Sequence, residues 1–299
     1  MSELAEKREL KNFIIDSIDR LWKQYDNNLK QSIENFTEES VHDIRVIIRR
    51  YIALIDLLRE LFQNKYLEDA RMIFRKQIKI FNPLRDTQVQ LIKVSELLNS
   101  YPCISDYHSY LVNNEGIMKN NIMESLKDFE RDELEGLIFF IKLHIKQNFQ
   151  KHNISMNLLF SKAHNAFQYM MYLYKVADTQ GLETIHKVRL AFKKFRYMME
   201  ILQPLAPKKV NLKGMKTFQT ILGNIQDNRV ILINLHFFME QQNYSNKDEC
   251  MVVENELLKQ RNELIDQFLS QYDLLESFWK PEYLDDKAIN KQSSMKKIK

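Results

Sequence analysis

The sequence predicts an all-α fold built from two similar helical halves, and three observations support this prediction. The 299 residues include only 5 glycines and 5 prolines, too few for the closely spaced turns of a multi-strand sheet or barrel. Apolar residues recur at i, i+3 and i+4 spacing along most of the chain, which is typical of amphipathic helices. A segment that begins near residue 41 also recurs near residue 185. We therefore expect long helices and no strand.

Interruptions of the helical periodicity predict about ten helices. The first break lies at Thr37–Ser40, where the sequence TEESVHDI offers capping side chains to the following helix. Further breaks are expected at Asn82-Pro83, where Pro83 suits the first turn of a new helix, at Asp178–Gly181 and at Gly223. The expected helices span about 4–35, 39–63, 66–81, 83–99, 104–128, 130–150, 155–177, 183–203, 208–223, 225–243 and 247–278.

The composition argues against several classes of protein. Cys103 and Cys250 lie far apart without CxxC spacing, which argues against a disulfide framework and against a zinc cluster. The amino-terminal sequence MSELAEKREL is charged from its third residue, so no signal peptide is expected. No apolar run approaches the ~18–20 residues of a membrane span. We therefore expect a soluble, cytoplasmic protein without membrane contact, cofactor or bound metal.

Two blocks of sequence recur in the same order, which predicts that the chain arose by duplication. Residues 41–58 align without gaps on 185–202 at an offset of 144, and residues 76–91 align on 217–232 at an offset of 141. The matched pairs are His42 with His186, Arg45 with Arg189, Arg49 with Lys193, Arg50 with Lys194, Asp56 with Glu200 and Asp86 with Asp227. The expected parts are an amino-terminal half at 1–150, a second half of the same domain at 151–286 and a basic, flexible tail at 287–299.

The first block places bases on one face of a helix in each half. At 100° per residue, Arg45 and Arg49 lie within about 60° of His42 on the helical wheel, and the matched residues of the second half form the same stripe. One interpretation is a solvated face whose arginine stems cover apolar neighbours. A solvated face usually mixes acids with bases, because such pairs stabilise a helix by a few tenths of a kcal/mol. These stripes hold almost no acid, which favours a bound anion.

Two further segments are rich in bases and free of acids. Their bases are Arg71, Arg75, Lys79 and Arg85 in the first segment and Lys209, Lys213 and Lys216 in the second. Together, residues 41–50, 70–85, 185–196 and 207–216 contain 17 bases and one acid, whereas the rest of the chain holds 27 bases and 39 acids. The net charge of +4 therefore conceals +16 on four segments and −12 elsewhere. Cations concentrated in this way attract polyanions.

The histidines and aspartates of the repeated blocks admit more than one role. His42 and His186 could contact an anion, pack against the other half as helix-start side chains, or bind a metal. A metal is the weakest interpretation, because no second His or Cys lies at i+3 or i+4. Asp86 and Asp227 are interpreted as residues that orient a neighbouring base. A role as general base is less favoured because no nucleophile accompanies them.

The two blocks resemble a known family. The pattern H-x-x-R-x-x-x-[RK]-[RK] at the start of one helix in each half, followed by an [FL]-[GN]-x-x-[RQ]-D block, is similar to the CHAD domain, the conserved-histidine α-helical domain. The resemblance covers about residues 5–285. It implies two pseudo-twofold-related helical bundles, here of about four to five helices each, around a basic central cavity that binds inorganic polyphosphate.

Two positions depart from the family pattern. Asn82-Pro83 stands where the family usually has Gly after the apolar residue, and Gln226 stands opposite Arg85, so the second half has lost one base. The CYTH triphosphatase domain that the family often carries is not expected, because 299 residues leave no room for it.

The resulting hypothesis is a protein, not an enzyme, that binds inorganic polyphosphate, with other polyanions as further partners. Single-stranded nucleic acid is the main alternative, but its binders stack aromatic rings on bases, and Tyr51, Phe192, Phe195 and Tyr197 are expected in the core. A phosphohydrolase is less favoured because the basic segments hold a single acid for a catalytic metal. The resemblance also implies association with polyphosphate granules. The expected polyphosphate-binding residues are His42, Arg45, Arg49, Arg50, Arg71, Arg75, Lys79, Arg85, His186, Arg189, Lys193, Lys194, Arg196, Lys209, Lys213 and Lys216.

Overall fold

The computed structural model describes residues 3–127, 129, 131–152, 154–205, 210–241 and 247–279. Within these residues the chain forms ten α-helices, three short 3-10 turns and no strand, which confirms the all-α prediction. The helices are α1 Glu3–Asn35, α2 Glu38–Phe62, α3 Lys65–Leu98, α4 Ser105–Lys127, α5 Arg131–Asn148, α6 Met156–Lys175, α7 Ala177–Leu202, α8 Leu212–Gln241, α9 Lys247–Leu269 and α10 Tyr272–Ser277. The 3-10 turns are Pro102–Ile104, Phe149–Lys151 and Gln203–Leu205. The tail expected at 287–299 lies outside the described residues.

Two of the predicted helix breaks are wrong. α3 continues through Asn82-Pro83, although a proline inside a helix removes one hydrogen bond and costs about 3 kcal/mol relative to alanine. Pro83 itself is exposed, and its neighbours Phe81 and Leu84 are fully buried, so core packing outweighs this local cost. α8 likewise continues through Gly223, where the cost relative to alanine is only about 1 kcal/mol.

The predicted break at Asp178–Gly181 is confirmed. Gly181 has φ 71° and ψ −164° within α7, so two helical segments meet there at a kink. Only glycine adopts this backbone conformation without strain from a Cβ atom. The kink fixes where the straight part of α7, which carries His186, begins.

The capping side chains expected before α2 are also confirmed. The Thr37 hydroxyl accepts a 3.2 Å hydrogen bond from the backbone N–H of Ser40, which satisfies one of the free donors in the first turn. This cap sets the start of α2 and therefore the position of His42 and the bases that follow it.

The core is shared by the two halves of the chain. α2 packs against α1, α3 and α7, and α7 packs in the same way against α6, α8 and α2. One apolar cluster runs from Leu10 in α1 to Trp279, and it buries Tyr51, Phe192, Phe195 and Tyr197, as expected. A second cluster joins the end of α3 and the start of α4 to α8 and α9. The central elements of the fold are therefore α2, α3, α7 and α8, which bring both repeated blocks together.

Within the described residues, no helix is long and apolar enough to cross a membrane.

Candidate anion-binding site

A cavity of about 260 Å³ lies between α2, α3, α7 and α8. Its bases come from matched positions of the two repeats, with Arg45 and Arg49 from α2 and Arg189 from α7. The other lining residues are Asn82, Asp86, Val89, Gln90, His186, Leu190, Gln226, Asp227 and Val230. The fold therefore combines side chains that are about 140 residues apart in the sequence into one site.

Arg45 and Arg189 are partly buried and lack full hydrogen bonding. The Nε atom of each is buried and has no hydrogen-bond partner among the described residues. Burial lowers the pKa of Arg45 to about 10, with further contributions from Arg49 and Arg189, and burial also lowers the pKa of Arg189. Both guanidinium groups stay protonated at neutral pH. Because a buried, unpaired charge is costly, this arrangement is suited to an anion that pairs with both.

Lys193, the residue matched to Arg49, lies in the same positive environment. Its pKa is lowered well below the ordinary value of 10.5, first by burial and then by Arg189, Arg49 and Arg45. Among the described residues, no carboxylate lies within ion-pairing distance of any of these four bases. The four bases therefore repel one another, while the nearby Asp86 and Asp227 favour their charged forms.

The two aspartates lie in the cavity wall close to this charge. Burial raises the pKa of Asp227, and Arg189, Lys193 and Arg85 partly offset that effect. Neither Asp86 nor Asp227 makes a side-chain hydrogen bond to a described base. Their role as orienting residues stays a prediction, and at these positions they reduce the positive potential of the site.

The histidines have different neighbours in the two halves. His186 Nδ1 lies 2.8 Å from Gln226 Oε1, which can only accept, so the tautomer that donates from Nδ1 fits this contact. In the first half, the position matched to Gln226 is Arg85, and the pKa of His42 is lowered by burial and by Arg85. His186 lines the cavity, whereas His42, near the start of α2, is not among the described residues that line it. Within the described part of the chain, no group of three or more His, Cys, Asp or Glu residues could hold a metal ion.

Five of the predicted binding bases pair with carboxylates of the protein. Arg50 and Arg196 contact Glu200, Arg71 and Lys194 contact Asp56, and Arg85 contacts Glu38. Sequence reasoning missed these pairs because the three acids lie just outside the base-rich segments 41–50 and 185–196. The repeat alignment gave a usable signal, since it placed Asp56 and Glu200 at matched positions.

The remaining predicted bases do not reach the cavity. Arg75 and Lys79 on α3 and Lys213 and Lys216 on α8 are exposed, and Lys209 lies outside the described residues. By contrast, Asn82, noted above only as a departure from a family pattern, lines the cavity, and its buried Oδ1 atom has no hydrogen-bond partner among the described residues.

A second cavity of about 640 Å³ adjoins the first, since Val89 and Asp227 line both. It lies between α3, α8 and α9 and carries charges of both signs, with Arg85 and Lys93 facing Glu96 and Glu263. The cationic site therefore opens into a wider, mixed-charge space.

The fold and the site together define a class of protein: all-α, with matched bases from two repeats around a central cavity. The family model of the CHAD domain matches residues 16–135 and 150–235, more than two thirds of the sequence. The chain therefore belongs to the CHAD domain family.

A solved structure agrees with this assignment. The crystal structure of the CHAD domain from the plant Ricinus communis is similar to this chain with a TM-score of 0.70 and 15% sequence identity. The similarity covers 88% of this chain and 91% of the plant chain, and at this identity it shows a shared fold. No curated protein sequence matches the chain.

Proposed function

We propose that the protein binds inorganic polyphosphate in the cavity between α2, α3, α7 and α8, and that it does so without hydrolysing it. The observation that supports this proposal most strongly is the pair Arg45 and Arg189. Each contributes a partly buried guanidinium from one repeat, and its buried Nε donor has no partner among the described residues. An anion that accepts from both would remove the cost of burying them.

The number and spacing of the bases favour a linear polyanion over a single small anion. Arg45 and Arg49 lie one turn apart on α2, about 6 Å along the helix, and Arg189 and Lys193 repeat this spacing on α7. Consecutive phosphate groups could contact successive bases, and arginine can donate two hydrogen bonds to one phosphate. Each neutralised phosphate would add a modest, salt-dependent contribution to the affinity.

The surroundings of the cavity disfavour a nucleic acid. No Phe, Tyr or Trp belongs to the described residues that line it, whereas Tyr51, Phe192, Phe195 and Tyr197 are buried in the core. The His186 imidazole is the one aromatic ring among these lining residues, so nucleobases would find little stacking surface beside the phosphate contacts. This difference supports polyphosphate over single-stranded DNA or RNA.

The proposed role of the carboxylates is also non-catalytic. Asp86 and Asp227 face the bases of the cavity, and we assign them to orienting those bases and limiting the excess positive charge. Association with polyphosphate granules, which family membership suggests, forms part of the same proposal.

The decisive experiment is competition between long-chain polyphosphate and single-stranded DNA at equal phosphate concentration. We expect polyphosphate to displace a labelled DNA, and DNA to displace polyphosphate poorly. A fourfold alanine variant at the buried bases should lose most of the affinity. A charge-matched control with alanine at the exposed bases should lose much less. The buried set is Arg45, Arg49, Arg189 and Lys193, and the control set is Arg75, Lys79, Lys213 and Lys216.

Two results would contradict the proposal. Unchanged binding in the buried-base variant would exclude the assigned site. Release of orthophosphate that depends on Asp86 or Asp227 would show that the protein is a phosphohydrolase.

A further inference from the structure

The two cysteines meet in the structure, although 147 positions separate them in the chain. Cys103 lies in the 3-10 turn Pro102–Ile104 before α4, and Cys250 lies in the first turn of α9. The Cys250 thiol donates to the backbone carbonyl oxygen of Cys103 across 3.6 Å. Their separation in sequence argued against a disulfide framework, but the fold brings them into contact.

The cysteine pair connects the two halves of the chain away from the contact between α2 and α7. Both cysteines belong to the second apolar cluster, in which Cys103 and Tyr107 of the first half pack with Leu235, Cys250 and Val253 of the second. Both are thiols in the structure. A bond between them would therefore be a covalent link between the halves.

Hydrogen bonds connect the region around the cysteine pair to the cationic cavity. Gln90, which lines the cavity, accepts hydrogen bonds through Oε1 from Tyr107 at 2.8 Å and from Asn234 at 2.9 Å. Tyr107 follows Cys103 by four residues and lies in the first turn of α4. The cysteines and the cavity are thus attached to the same packed ends of α3 and α8.

We propose that Cys103 and Cys250 form an intramolecular disulfide when the protein is exposed to a peroxide. Cys103 is 8% exposed and Cys250 only 1%, so Cys103 is the sulfur that the oxidant reaches first. Its attack on hydrogen peroxide breaks the O–O bond and gives a sulfenic acid and water. The Cys250 sulfur then attacks the sulfenic sulfur, the S–O bond breaks, and the hydroxyl leaves as a second water with the Cys250 proton. Two thiols are oxidised, and one peroxide is reduced to two waters.

The different environments of the two thiols agree with these roles. Burial, followed by the neighbouring Cys103, raises the pKa of Cys250 to about 12. A thiol with so high a pKa is a poor first reactant towards peroxide, but it can resolve a sulfenic acid that is held beside it. The link should therefore form slowly and need local opening of α9.

The test uses the full chain, reduced and then treated with hydrogen peroxide. We expect the intact mass to fall by two hydrogen atoms, and both thiols to be lost to maleimide labelling after denaturation. The thermal midpoint should rise on the order of 5–10 °C, because the disulfide closes a long loop. Dithiothreitol should reverse the changes in mass, labelling and thermal midpoint. Cys250→Ala should instead accumulate a sulfenic acid on Cys103 that dimedone traps, and Cys103→Ala should form neither the disulfide nor this sulfenic acid.

Three outcomes would overturn the proposal. These are oxygen addition without loss of hydrogen, a disulfide-linked dimer on a non-reducing gel, and thiols that survive in the folded chain although they react in urea. The alanine variants are checked for folding by circular dichroism. Since the mass and labelling readouts need no polyphosphate, their failure would leave the proposed function unaffected.

Discussion

Arg50 on α2 donates a 2.8 Å hydrogen bond from Nε to the Glu200 carboxylate on α7. The repeat matches Arg50 to Lys194 and Glu200 to Asp56, and these two partners also meet, with Lys194 Nζ 3.7 Å from Asp56 Oδ2. The contact between α2 and α7 is therefore made twice with exchanged roles. Reciprocal contacts of this kind are typical of a twofold axis, and they support the predicted relation between the halves.

Replacing Glu200 should destabilise the protein. Glu200 accepts from both Arg50 and Arg196, and its side chain is only 13% exposed. Glu200→Gln leaves two part-buried guanidinium groups without a carboxylate, so we expect the free energy of unfolding to fall by about 1–3 kcal/mol in urea denaturation. The control is Glu68→Gln, whose carboxylate is 55% exposed beside Arg59 and should change stability by less than about 0.5 kcal/mol. Equal effects of the two substitutions would contradict this assignment.

Removing single bases of the cluster Arg45, Arg49, Arg189 and Lys193 should change the salt dependence of polyphosphate binding, although Lys193 is not among the described residues that line the cavity. We expect Arg49→Ala and Lys193→Ala each to reduce the slope of log K against log salt by about one, because each change removes about one phosphate contact. Fluorescence anisotropy at several salt concentrations measures that slope. Arg75→Ala removes the same charge from the exposed face of α3 and should reduce the slope less. A uniform reduction in all three variants would indicate attraction by net charge alone.

Polyphosphate affinity should fall as the pH rises. The pKa of Lys193 lies well below 10.5 in the folded protein, so this ammonium group loses its charge at a lower pH than an exposed lysine. The raised pKa of Asp227 acts in the same direction, because falling pH protonates the carboxylate and removes a repulsive charge. Dissociation constants measured from neutral pH up to a pH below the Arg45 pKa of about 10 should therefore increase, and Arg45 stays charged in this range. Lys193→Arg keeps its charge and should flatten the alkaline part of the profile, whereas parallel profiles would exclude Lys193 as the titrating group.

Pro83→Ala should stabilise the protein. Pro83 lies exposed inside α3, where alanine would restore an N–H donor and remove the clash of the ring with the preceding turn. We expect a gain of about 1–2 kcal/mol in the free energy of unfolding, after allowing for the greater freedom of the unfolded alanine chain. Pro102→Ala is the control, since Pro102 starts a 3-10 turn and its replacement should bring no gain. No difference between the two variants would mean that α3 has adapted to the proline.

Local chemistry predicted the helices well, but it misjudged two connections. The cap at Thr37 and the kink at Gly181 depend on side-chain and backbone preferences that can be read within a few residues. Whether α3 passes through Pro83 depends on the burial of Phe81 and Leu84. The sequence shows that these residues are apolar, but it does not show how tightly they pack in the folded chain. Tertiary packing therefore determines that α3 is continuous.

The repeated stripe and the structure agree that Arg45, Arg49 and Arg189 lie close together, since all three line one cavity. Their role in binding polyphosphate stays a prediction. The wheel could not show that Arg50 turns to Glu200 on another helix, or that Arg71 turns to Asp56. Charge counted along the sequence therefore overestimated the bases that remain available, because ion pairs between helices form only in the folded chain.

The repeat also bears on the shape of the ligand. A linear polyphosphate has no direction, since its two ends are chemically the same and it reads alike from either one. Arg45 and Arg189 would therefore make the same contacts with such a chain whichever end entered the cavity first. A chain would not have to dissociate and rebind in the opposite direction. Matched positions that differ, such as Arg85 and Gln226, would not change this, because reversing a chain with identical ends gives the same complex.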